Sequence, residues 1–448
     1  MNRVSLQTLG CKVNFAETST IGRQFVERGF NIVDVDQPTD VFVLNTCSVT
    51  ERADRECRQV IRRALRKSPN AYVVVVGCYA QLQPDEIATI DGVDLILGAK
   101  EKFNLFSFAN NFQKRGIPQS FVSCIDEVED FISSYSGDVD GRTRAFLKVQ
   151  DGCDYTCAFC TIPLARGESR SQPITRLVNE ARILVEKGFK EIVLTGVNVG
   201  DFGKRIGTTF FELVKSLDTV DGLERIRISS IEPNLLTPEI VEFILDSKRF
   251  CNHFHIPMQS GSDAILKRMR RRYLTQEYRS LIEFIKKIDS DAGIGADVLV
   301  GFPGETNDLF NETATFISDL PISYLHVFTY SERENTLATE FDDAVEPRIR
   351  HERNNILIII SQRKRNEFAS SFVGKTLPVL FESEAQKGIA TGLASNYLRV
   401  QVPTVKALEN EIHEVEILSI EGEICNGAFT DSIKVESESE FVYDCTTI

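Results

Sequence analysis

The stretch DGCDYTCAFCTIPLARG, residues 151–167, decides how the rest of the chain is interpreted. It places the thiols of Cys153, Cys157 and Cys160 in a Cys-x3-Cys-x2-Cys spacing. Thiolates this close together can bind one metal centre from a single loop. A closed structural site normally uses four protein ligands, whereas three ligands leave a position open for a substrate or cofactor. The spacing predicts a 4Fe–4S cluster with one open iron. The alternative is a zinc site with its fourth ligand elsewhere.

A second group of cysteines follows three apolar segments in the first 125 residues. Val4–Leu9, Val41–Leu44 and Tyr72–Val76 are predicted strands that alternate with predicted helices, which indicates an open α/β sheet. The residues that follow these strands are Cys11, Cys47 and Cys78. Because the carboxyl ends of parallel strands form a common crevice, we expect the three thiols to converge. They predict an auxiliary 4Fe–4S cluster; the alternative is that they are buried core thiols.

Residues 143–370 repeat a strand–helix pattern that predicts a partial (β/α)6 barrel. The predicted strands are Ala145–Val149, Glu191–Leu194, Arg225–Ser229, His253–Pro257, Gly293–Val300 and Tyr324–Tyr330. Functional residues of such barrels lie at the carboxyl ends of the strands. The cysteine loop follows the first strand, and polar segments such as 195–198 and 229–232 follow later ones.

The remaining segments complete a three-domain prediction of overall α/β class. Residues 1–125 form a Rossmann-like domain, and the acidic residues 126–142 form a linker. Residues 371–437 contain short alternating strands typical of a small β-barrel, and residues 438–448 form an acidic tail.

Composition restricts the protein's environment and partners. The 448 residues carry a net charge of −14, which argues against non-specific coating of nucleic acid. We expect a cytoplasmic protein without a membrane partner, because no apolar run approaches about 18 residues and the first residues lack a signal peptide. Basic residues nevertheless crowd a predicted helix over 50–67 and the segment 267–272, which makes a polyanion partner a reasonable prediction. The predicted contacts on the helix are Arg55, Arg58, Arg62, Arg63 and Arg66.

Several motifs together resemble the radical S-adenosylmethionine (SAM) methylthiotransferases. Besides the cysteine loop they are LGCKVN at 9–14, RGESRS at 166–171, RISSIEP at 227–233, HIPMQSG at 255–261 and DVLVGFPGET at 297–306. In this resemblance the carboxyl-terminal β-domain corresponds to the RNA-binding TRAM module. The Lys12-Val13 pair looks like the branch that acts on N6-threonylcarbamoyladenosine 37 of tRNA. The isopentenyladenosine branch usually has Gln-Met there.

The resemblance implies a mechanism and a set of partners. The cluster on the cysteine loop binds SAM and, when reduced, cleaves it to a 5′-deoxyadenosyl radical. The auxiliary cluster holds the sulfur to be inserted, and a second SAM molecule methylates that sulfur. The implied partners are a tRNA anticodon stem-loop, an electron donor such as flavodoxin or ferredoxin, and a sulfur donor.

Further residues receive cofactor-binding roles by their type. We expect Tyr155 and Phe159 to shield the cluster, and Gly196 to let the backbone approach SAM. Arg166 can pair with a carboxylate of SAM or of the modified adenosine. Polar contacts to SAM are predicted for Asn198, Ser229, Glu232 and Gln259. By contrast, His253 and His255 are interpreted as hydrogen-bonded core histidines.

Two other functions remain open at this point. The same architecture serves methylthiotransferases that act on an aspartate of a ribosomal protein, although the Lys12-Val13-Asn14 signature argues against that substrate. A non-enzymatic iron–sulfur carrier or RNA-binding scaffold would not need a three-ligand cluster loop together with the Gly, Ser-Glu and Gln-Ser-Gly motifs of a SAM pocket.

Overall fold

The structure is a computed structural model that describes residues 2–48, 51–109, 111–114, 116–128, 130–136, 142–382, 388–404 and 406–430. The predicted acidic tail therefore lies outside the described residues. The chain divides into two compact units, residues 1–364 and 365–448. The first unit contains both groups of cysteines.

A six-stranded parallel sheet in the order β2-β1-β3-β4-β5-β6 forms the first part of this unit. Its central strands are continuous apolar runs because helices cover both faces. The strands are β1 (Arg3–Thr8), β2 (Asn31–Ile32), β3 (Val41–Thr46), β4 (Tyr72–Gly77), β5 (Val93–Leu97) and β6 (Gln119–Phe121). The helices are α1 (Lys12–Glu27), α2 (Glu51–Lys67), α3 (Cys78–Leu82), α4 (Pro84–Ala88) and α5 (Leu105–Phe108).

The open α/β sheet expected from the sequence is confirmed, with two differences. Strands β2, β5 and β6 add to the three predicted strands, and helix α1 begins as early as Lys12. The earlier start places Lys12, Val13 and Asn14 in the first helical turn, directly after Cys11.

The second part of the unit is an open barrel of six parallel strands. Two three-stranded sheets, β7-β10-β11 and β12-β13-β14, are joined by the parallel bridges Ile226–Phe250 and Ser230–His255. The barrel strands are β7 (Arg144–Lys148), β10 (Glu191–Thr195), β11 (Arg225–Ile228), β12 (His253–His255), β13 (Gly293–Val300) and β14 (Tyr324–Thr329), whereas β8 (Gln150–Asp151) and β9 (Arg170–Ser171) form a separate pair. The predicted partial barrel is confirmed.

Helices connect these strands and cover the outside of the barrel, where the largest apolar core lies. They are α6 (Ile162–Arg166), α7 (Ile174–Glu186), α8 (Phe210–Asp218), α9 (Pro238–Asp246), α10 (Asp263–Arg268), α11 (Thr275–Ile288), α12 (Asn307–Asp319) and α13 (Pro347–Ser370). The short antiparallel pair β8–β9 stands apart from the barrel sheet and brackets the cysteine loop.

Helix α1 joins the sheet part to the barrel. Phe15 and Ala16 pack against Phe146 of β7 and Val193 of β10, and the rings of Phe15 and Phe146 lie 6.3 Å apart. A second connection uses Arg333, whose guanidinium donates to Ser48 Oγ (2.5 Å) and Asp54 Oδ2 (2.7 Å). These contacts hold the segment that follows Cys47 against the loop that follows β14.

The second unit contains a closed β-barrel in the order β15-β16-β17-β19-β18. Its strands are β15 (Thr376–Phe381), β16 (Ile389–Ala394), β17 (Arg399–Pro403), β18 (Ile412–Glu421) and β19 (Ile424–Phe429). The predicted small β-barrel is confirmed, and its closure depends on β19, which pairs in parallel with β17. Among the described residues, no helix combines the length and the apolar composition that crossing a bilayer requires.

Candidate active site

The first cysteine site lies on the loop between β8 and α6. The loop begins at Gly152, whose φ of +71° suits glycine and whose Cβ, if present, would collide with the carbonyl oxygen of Glu168. Backbone amides point at two of the sulfurs: Tyr155 N–H donates to Cys153 Sγ and Ile162 N–H donates to Cys160 Sγ, each at 3.4 Å. Such donors stabilise the thiolate form that a metal requires.

The three thiols of this loop are not gathered as closely as a single zinc ion would require. Two thiolates on one tetrahedral zinc lie about 3.8 Å apart, given Zn–S bonds of about 2.3 Å. Within the described residues, no three cysteine sulfurs lie within 4.8 Å of one another. Burial raises the pKa of Cys153 and of Cys160 to about 12, so metal binding would have to displace their protons.

Arg271 is a site residue that the sequence analysis missed. Its Nη1 donates to Cys157 Sγ at 3.1 Å, its Nε donates to Tyr273 Oη at 3.2 Å, and its Nη2 pairs with Glu232. Burial alone would lower the pKa of Arg271, but Tyr273, Glu232 and Cys157 hold it well above its ordinary value. A permanent cation therefore sits beside the sulfur of Cys157.

The basic segment 267–272 is thus not simply a surface for a polyanion. Besides Arg271, Arg268 pairs with Asp343, and the guanidinium of Arg272 lies 3.8 Å from the centre of the Tyr155 ring. The expectation that these three arginines form part of an open basic patch is wrong for Arg271, which is buried at the cluster loop. A run of basic residues in the sequence could not reveal that Arg271 is buried, because its inward direction depends on the turn after α10.

Buried polar atoms without partners mark the mouth of the barrel next to the cysteine loop. Thr195 Oγ1, Asn198 Oδ1 and Ser229 Oγ are buried and accept or donate no hydrogen bond within the described part of the chain. Polar atoms of this kind are normally satisfied in folded proteins. Their grouping after β10 and β11 therefore fits a polar ligand, as expected for SAM.

The other side of the barrel mouth contains a cavity of about 230 Å³. Phe159, Cys160 and Gln259 line it together with Asp297, and Gln259 holds a φ of +64°. The structure thus brings these predicted residues together beside the cluster loop. Tyr155 is buried nearby, where its hydroxyl accepts a hydrogen bond from Asn234 Nδ2 at 2.8 Å.

Gln150 is a second residue that the sequence analysis missed. Its Oε1 accepts from the backbone N–H of Val197 (3.0 Å) and Asn198 (2.8 Å), and its Nε2 donates to Gly152 O at 2.7 Å. It therefore fixes the loop after β10 against the cysteine loop. A Cβ on Gly196 would lie 3.0 Å from Gln150 Oε1. The absence of a side chain at this glycine therefore makes room for Gln150.

The auxiliary cysteines lie at the ends of β1, β3 and β4, as the sequence predicts. Cys47 and Cys78 are buried, whereas Cys11 is exposed. Gly10 has a φ of +99°, and a Cβ there would lie 2.9 Å from Cys47 Sγ. The turn before α1 thus packs directly against Cys47. Strand β3 pairs with both β1 and β4, with Thr8 opposite Asn45 and Thr46 opposite Gly77, so the three cysteines follow neighbouring strand ends.

Arg166 lies next to this auxiliary site in a buried network of charges. It donates to Glu17 Oε1 (3.0 Å), Asp151 Oδ1 (2.9 Å) and Asn14 Oδ1 (2.5 Å). Lys102 and Lys148 also pair with Glu17, at 2.7 and 3.3 Å. A carboxylate of SAM would have to compete with these groups for Arg166. The structure therefore favours a role for Arg166 in joining α1 to the cysteine loop.

The two cysteine sites are neighbours. Helix α3, which begins at Cys78, packs against α6, which begins two residues after Cys160. Arg166 ends α6 and interacts electrostatically with both Cys11 and Cys78. Helix α6 therefore connects the site on the cysteine loop to the auxiliary site.

The predicted arginines on α2 fall into two groups. Arg55, Arg62, Arg63 and Arg66 are exposed, whereas Arg58 is half-buried and pairs with Glu86 and Tyr79. Arg62 and Arg66 line a surface depression with Gln59 and Leu65. Four of the five predicted arginines are thus exposed at the surface.

Comparisons with known proteins agree with this architecture. Residues 3–98 match the family described as "Uncharacterized protein family UPF0004", and residues 147–317 match the "Radical SAM superfamily". The solved structure of the radical S-adenosylmethionine methyltransferase TsrM from Kitasatospora setae has a TM-score of 0.53 and 14% identity, with coverage of 87% of this chain and 77% of that one. This likeness supports the fold.

Curated relatives extend the similarity over almost the whole chain. The threonylcarbamoyladenosine tRNA methylthiotransferase MtaB of Bacillus subtilis is 39% identical, and the match covers 93% of this chain and 94% of the relative. A tRNA-2-methylthio-N(6)-dimethylallyladenosine synthase of Methylacidiphilum infernorum is 31% identical, with 86% and 85% covered. Together with the two three-cysteine sites, these matches confirm the predicted family: the chain belongs to the radical SAM tRNA methylthiotransferases, and it is of the MtaB type.

Proposed function

We propose that this chain inserts a methylthio group at C2 of N6-threonylcarbamoyladenosine 37 in tRNA. The observation that carries this proposal is the 39% identity, over 93% of the chain, to a relative named for that nucleoside. The relative named for dimethylallyladenosine is 31% identical. The Lys12-Val13 pair favours the same substrate.

In this proposal the two groups of cysteines are the ligands of two iron–sulfur clusters. Cys153, Cys157 and Cys160 would hold one 4Fe–4S cluster with SAM, and Cys11, Cys47 and Cys78 would hold the auxiliary cluster. When bound, these groups supply the radical chemistry and the sulfur that side chains cannot provide at an unreactive C–H bond.

The chain's own residues hold and orient these groups. Arg271 places a cation against Cys157, and Gln150 fixes the cysteine loop. Thr195, Asn198 and Ser229 offer buried polar atoms to SAM. Tyr155, which is buried, and Phe159, which packs against Phe302, would shield the cluster from water, and Glu232 reaches the site through its pair with Arg271.

Two modified anticodon stem-loops test the substrate. One carries N6-threonylcarbamoyladenosine and the other carries isopentenyladenosine at the same position. We expect the anaerobically reconstituted enzyme to form the methylthio nucleoside only on the first, as measured by mass spectrometry of digested RNA. Product on the isopentenyl stem-loop alone would overturn the proposal.

The exposed face of α2 is the proposed contact for the tRNA backbone. Arg55, Arg62 and Arg66 recur at intervals of seven and four residues and therefore share one helix face. Their local positive charge can attract phosphate groups although the whole chain carries a net charge of −14. The helix begins close to Cys47, so RNA bound along it would extend toward the auxiliary site.

Charge reversal tests this face. Arg62→Glu and Arg66→Glu should each weaken tRNA binding and reduce the log–log salt slope by about one, because each removes one phosphate contact. Arg348→Glu is the control, since Arg348 is an exposed arginine on α13. If the α2 variants behave like Arg348→Glu, this helix does not contact the tRNA.

The remaining partners stay predictions. The proposal requires an electron donor, such as a flavodoxin or ferredoxin, and a sulfur donor, and it assumes a cytoplasmic location, where tRNA and reduced thiols coexist.

A further inference from the structure

The inner surface of the partial barrel, which we call the barrel lumen, is lined by polar side chains. Along each strand, alternate residues such as Ile192 and Val298 point outward into the apolar core beneath the helices. Because side chains alternate across a strand, the residues between them face inward. The ionisable groups of the lumen that matter here are Arg144, Glu191, Arg225, Arg227, His255, Asp297 and His326.

The carboxylates of the lumen already have partners. Glu191 accepts from Arg227 Nε at 2.8 Å and also pairs with Arg144 and Arg225, at 3.8 Å each. Asp297 lies 2.8 Å from His255 Nε2 and 3.3 Å from His326 Nδ1, and both rings must donate because a carboxylate only accepts. Three arginines therefore pair with the carboxylate of Glu191.

Lys12 adds a further cation to this surface. It lies on the face of α1 that packs, through Phe15 and Ala16, against the inner side of the barrel, where it interacts electrostatically with Arg144, Arg227, Glu191 and Asp297. Its ammonium group therefore reaches into the lumen. Among the described residues none forms a hydrogen bond or ion pair with it. A largely buried cation without a partner is unfavourable, and an anionic ligand would relieve that cost.

The lumen connects to the cavity beside the cluster loop. Asp297 lines that cavity together with Phe159 and Cys160, and the same residue interacts electrostatically with Lys12. A nucleobase held in the cavity could therefore direct a substituent toward Lys12 without leaving the barrel.

The charges in the lumen favour an anion over a metal ion. His255, Asp297 and His326 place three donor atoms within 4.8 Å of one another, which would also suit a divalent cation. In the described part of the lumen, however, four cationic side chains, Lys12, Arg144, Arg225 and Arg227, lie near the carboxylates of Glu191 and Asp297. A metal ion would increase this excess of positive charge, whereas a carboxylate would reduce it.

We propose that Lys12 binds the carboxylate of the amino-acid group that the target adenosine carries on N6. This inference rests on the proposed function, and it assigns substrate selection to a residue of the amino-terminal domain that enters the barrel. The ligand class is an N6-carbamoyl amino acid. An isopentenyl group, which has no charge, would leave Lys12 unpaired.

The experiment compares two stem-loops that differ only in this charge. One carries N6-threonylcarbamoyladenosine and the other its methyl ester, and the dissociation constant of each is measured with cluster-loaded protein. Wild type should bind the acid about 10- to 100-fold more tightly, the range expected for one charge-assisted hydrogen bond. In Lys12→Gln this ratio should fall to below about threefold, and Lys12→Arg should restore most of it.

Each result has a definite meaning. Equal binding of acid and ester by wild type, or an unchanged ratio in Lys12→Gln, would overturn the inference. Lys100→Gln, which removes an exposed lysine from the same domain, should keep the wild-type ratio. If Lys12→Gln fails to load its clusters, the wild-type protein still tests the inference, because equal binding of acid and ester would overturn it.

Failure of the proposed function would be recognised separately. Wild type that methylthiolates the threonylcarbamoyl stem-loop without preferring acid over ester would refute only the role of Lys12. Wild type that forms no product on that stem-loop, but does so on the isopentenyl stem-loop, would refute the proposed function.

Discussion

The two cysteine sites are built in opposite ways. Cys153, Cys157 and Cys160 come from one loop, and backbone amides of that same loop contact two of the sulfurs. The auxiliary cysteines come from three strands and converge only because the sheet is in register. The loop site therefore depends mainly on local geometry, whereas the auxiliary site depends on the fold of the whole amino-terminal domain.

A buried arginine accompanies each site, but the two have different surroundings. Arg271 has one carboxylate partner and donates directly to Cys157. Arg166 is held by Glu17 and Asp151 and contacts no sulfur through a hydrogen bond within the described residues. We infer that Arg271 stabilises negative charge on Cys157, whereas Arg166 fixes the position of the two sites relative to each other.

The strongest test of this comparison removes one thiol from each site. Cys157→Ala should abolish 5′-deoxyadenosine formation, because the loop site would lose a cluster ligand. Cys47→Ala should retain substrate-free SAM cleavage but give no methylthio product. Chromatography of the nucleosides and iron analysis measure both outcomes. A Cys47→Ala variant with normal product would show that the auxiliary thiols are not cluster ligands.

The next test removes the carboxylate of Glu17, which pairs with Arg166 between the two sites. Glu17→Gln leaves Arg166, Lys102 and Lys148 without their shared partner, and breaking a buried ion pair costs about 3–5 kcal/mol. Denaturant unfolding should show a loss of this size. Glu27→Gln, at an exposed position of the same helix, should change little. Equal effects of the two substitutions would argue against a structural role for the network.

A smaller effect is expected from the turn before α1. Gly10→Ala and Gly29→Ala both place alanine at a positive φ, which costs about 1–2 kcal/mol. Only at position 10 would the added Cβ collide with Cys47; at position 29 it meets nothing within 4 Å. Gly10→Ala should therefore also lower the iron content of the auxiliary site. If both variants keep full iron, Cys47 tolerates displacement.

The smallest expected effect is a difference in stability between wild type and Glu17→Gln at acidic pH. Burial raises the pKa of Glu17, but Arg166, Lys102 and Lys148 outweigh burial and hold it well below its ordinary value. A depressed folded pKa contributes stability above the unfolded pKa, about 4.3, and that contribution is lost as the pH falls toward the folded value. Between about pH 5 and 3, wild type should lose more stability than Glu17→Gln. Parallel curves would contradict this assignment.

The sequence by itself determined the local features. The spacing of Cys153, Cys157 and Cys160, the apolar strands and the motifs are all contained in short stretches, so they indicated the family and the strand–helix order. The cysteines at the ends of β1, β3 and β4 were also predictable, because parallel strands bring their carboxyl ends to one edge.

Only the tertiary structure decided which charged residues act together. Arg271 looked like part of a surface run, and Arg166 looked available to a cofactor, until the fold placed one beside Cys157 and the other between Glu17 and Asp151. Lys12 looked like a family signature until α1 directed it into the barrel. Contacts between residues far apart in sequence depend on packing and strand register, and no single stretch of the chain contains that information.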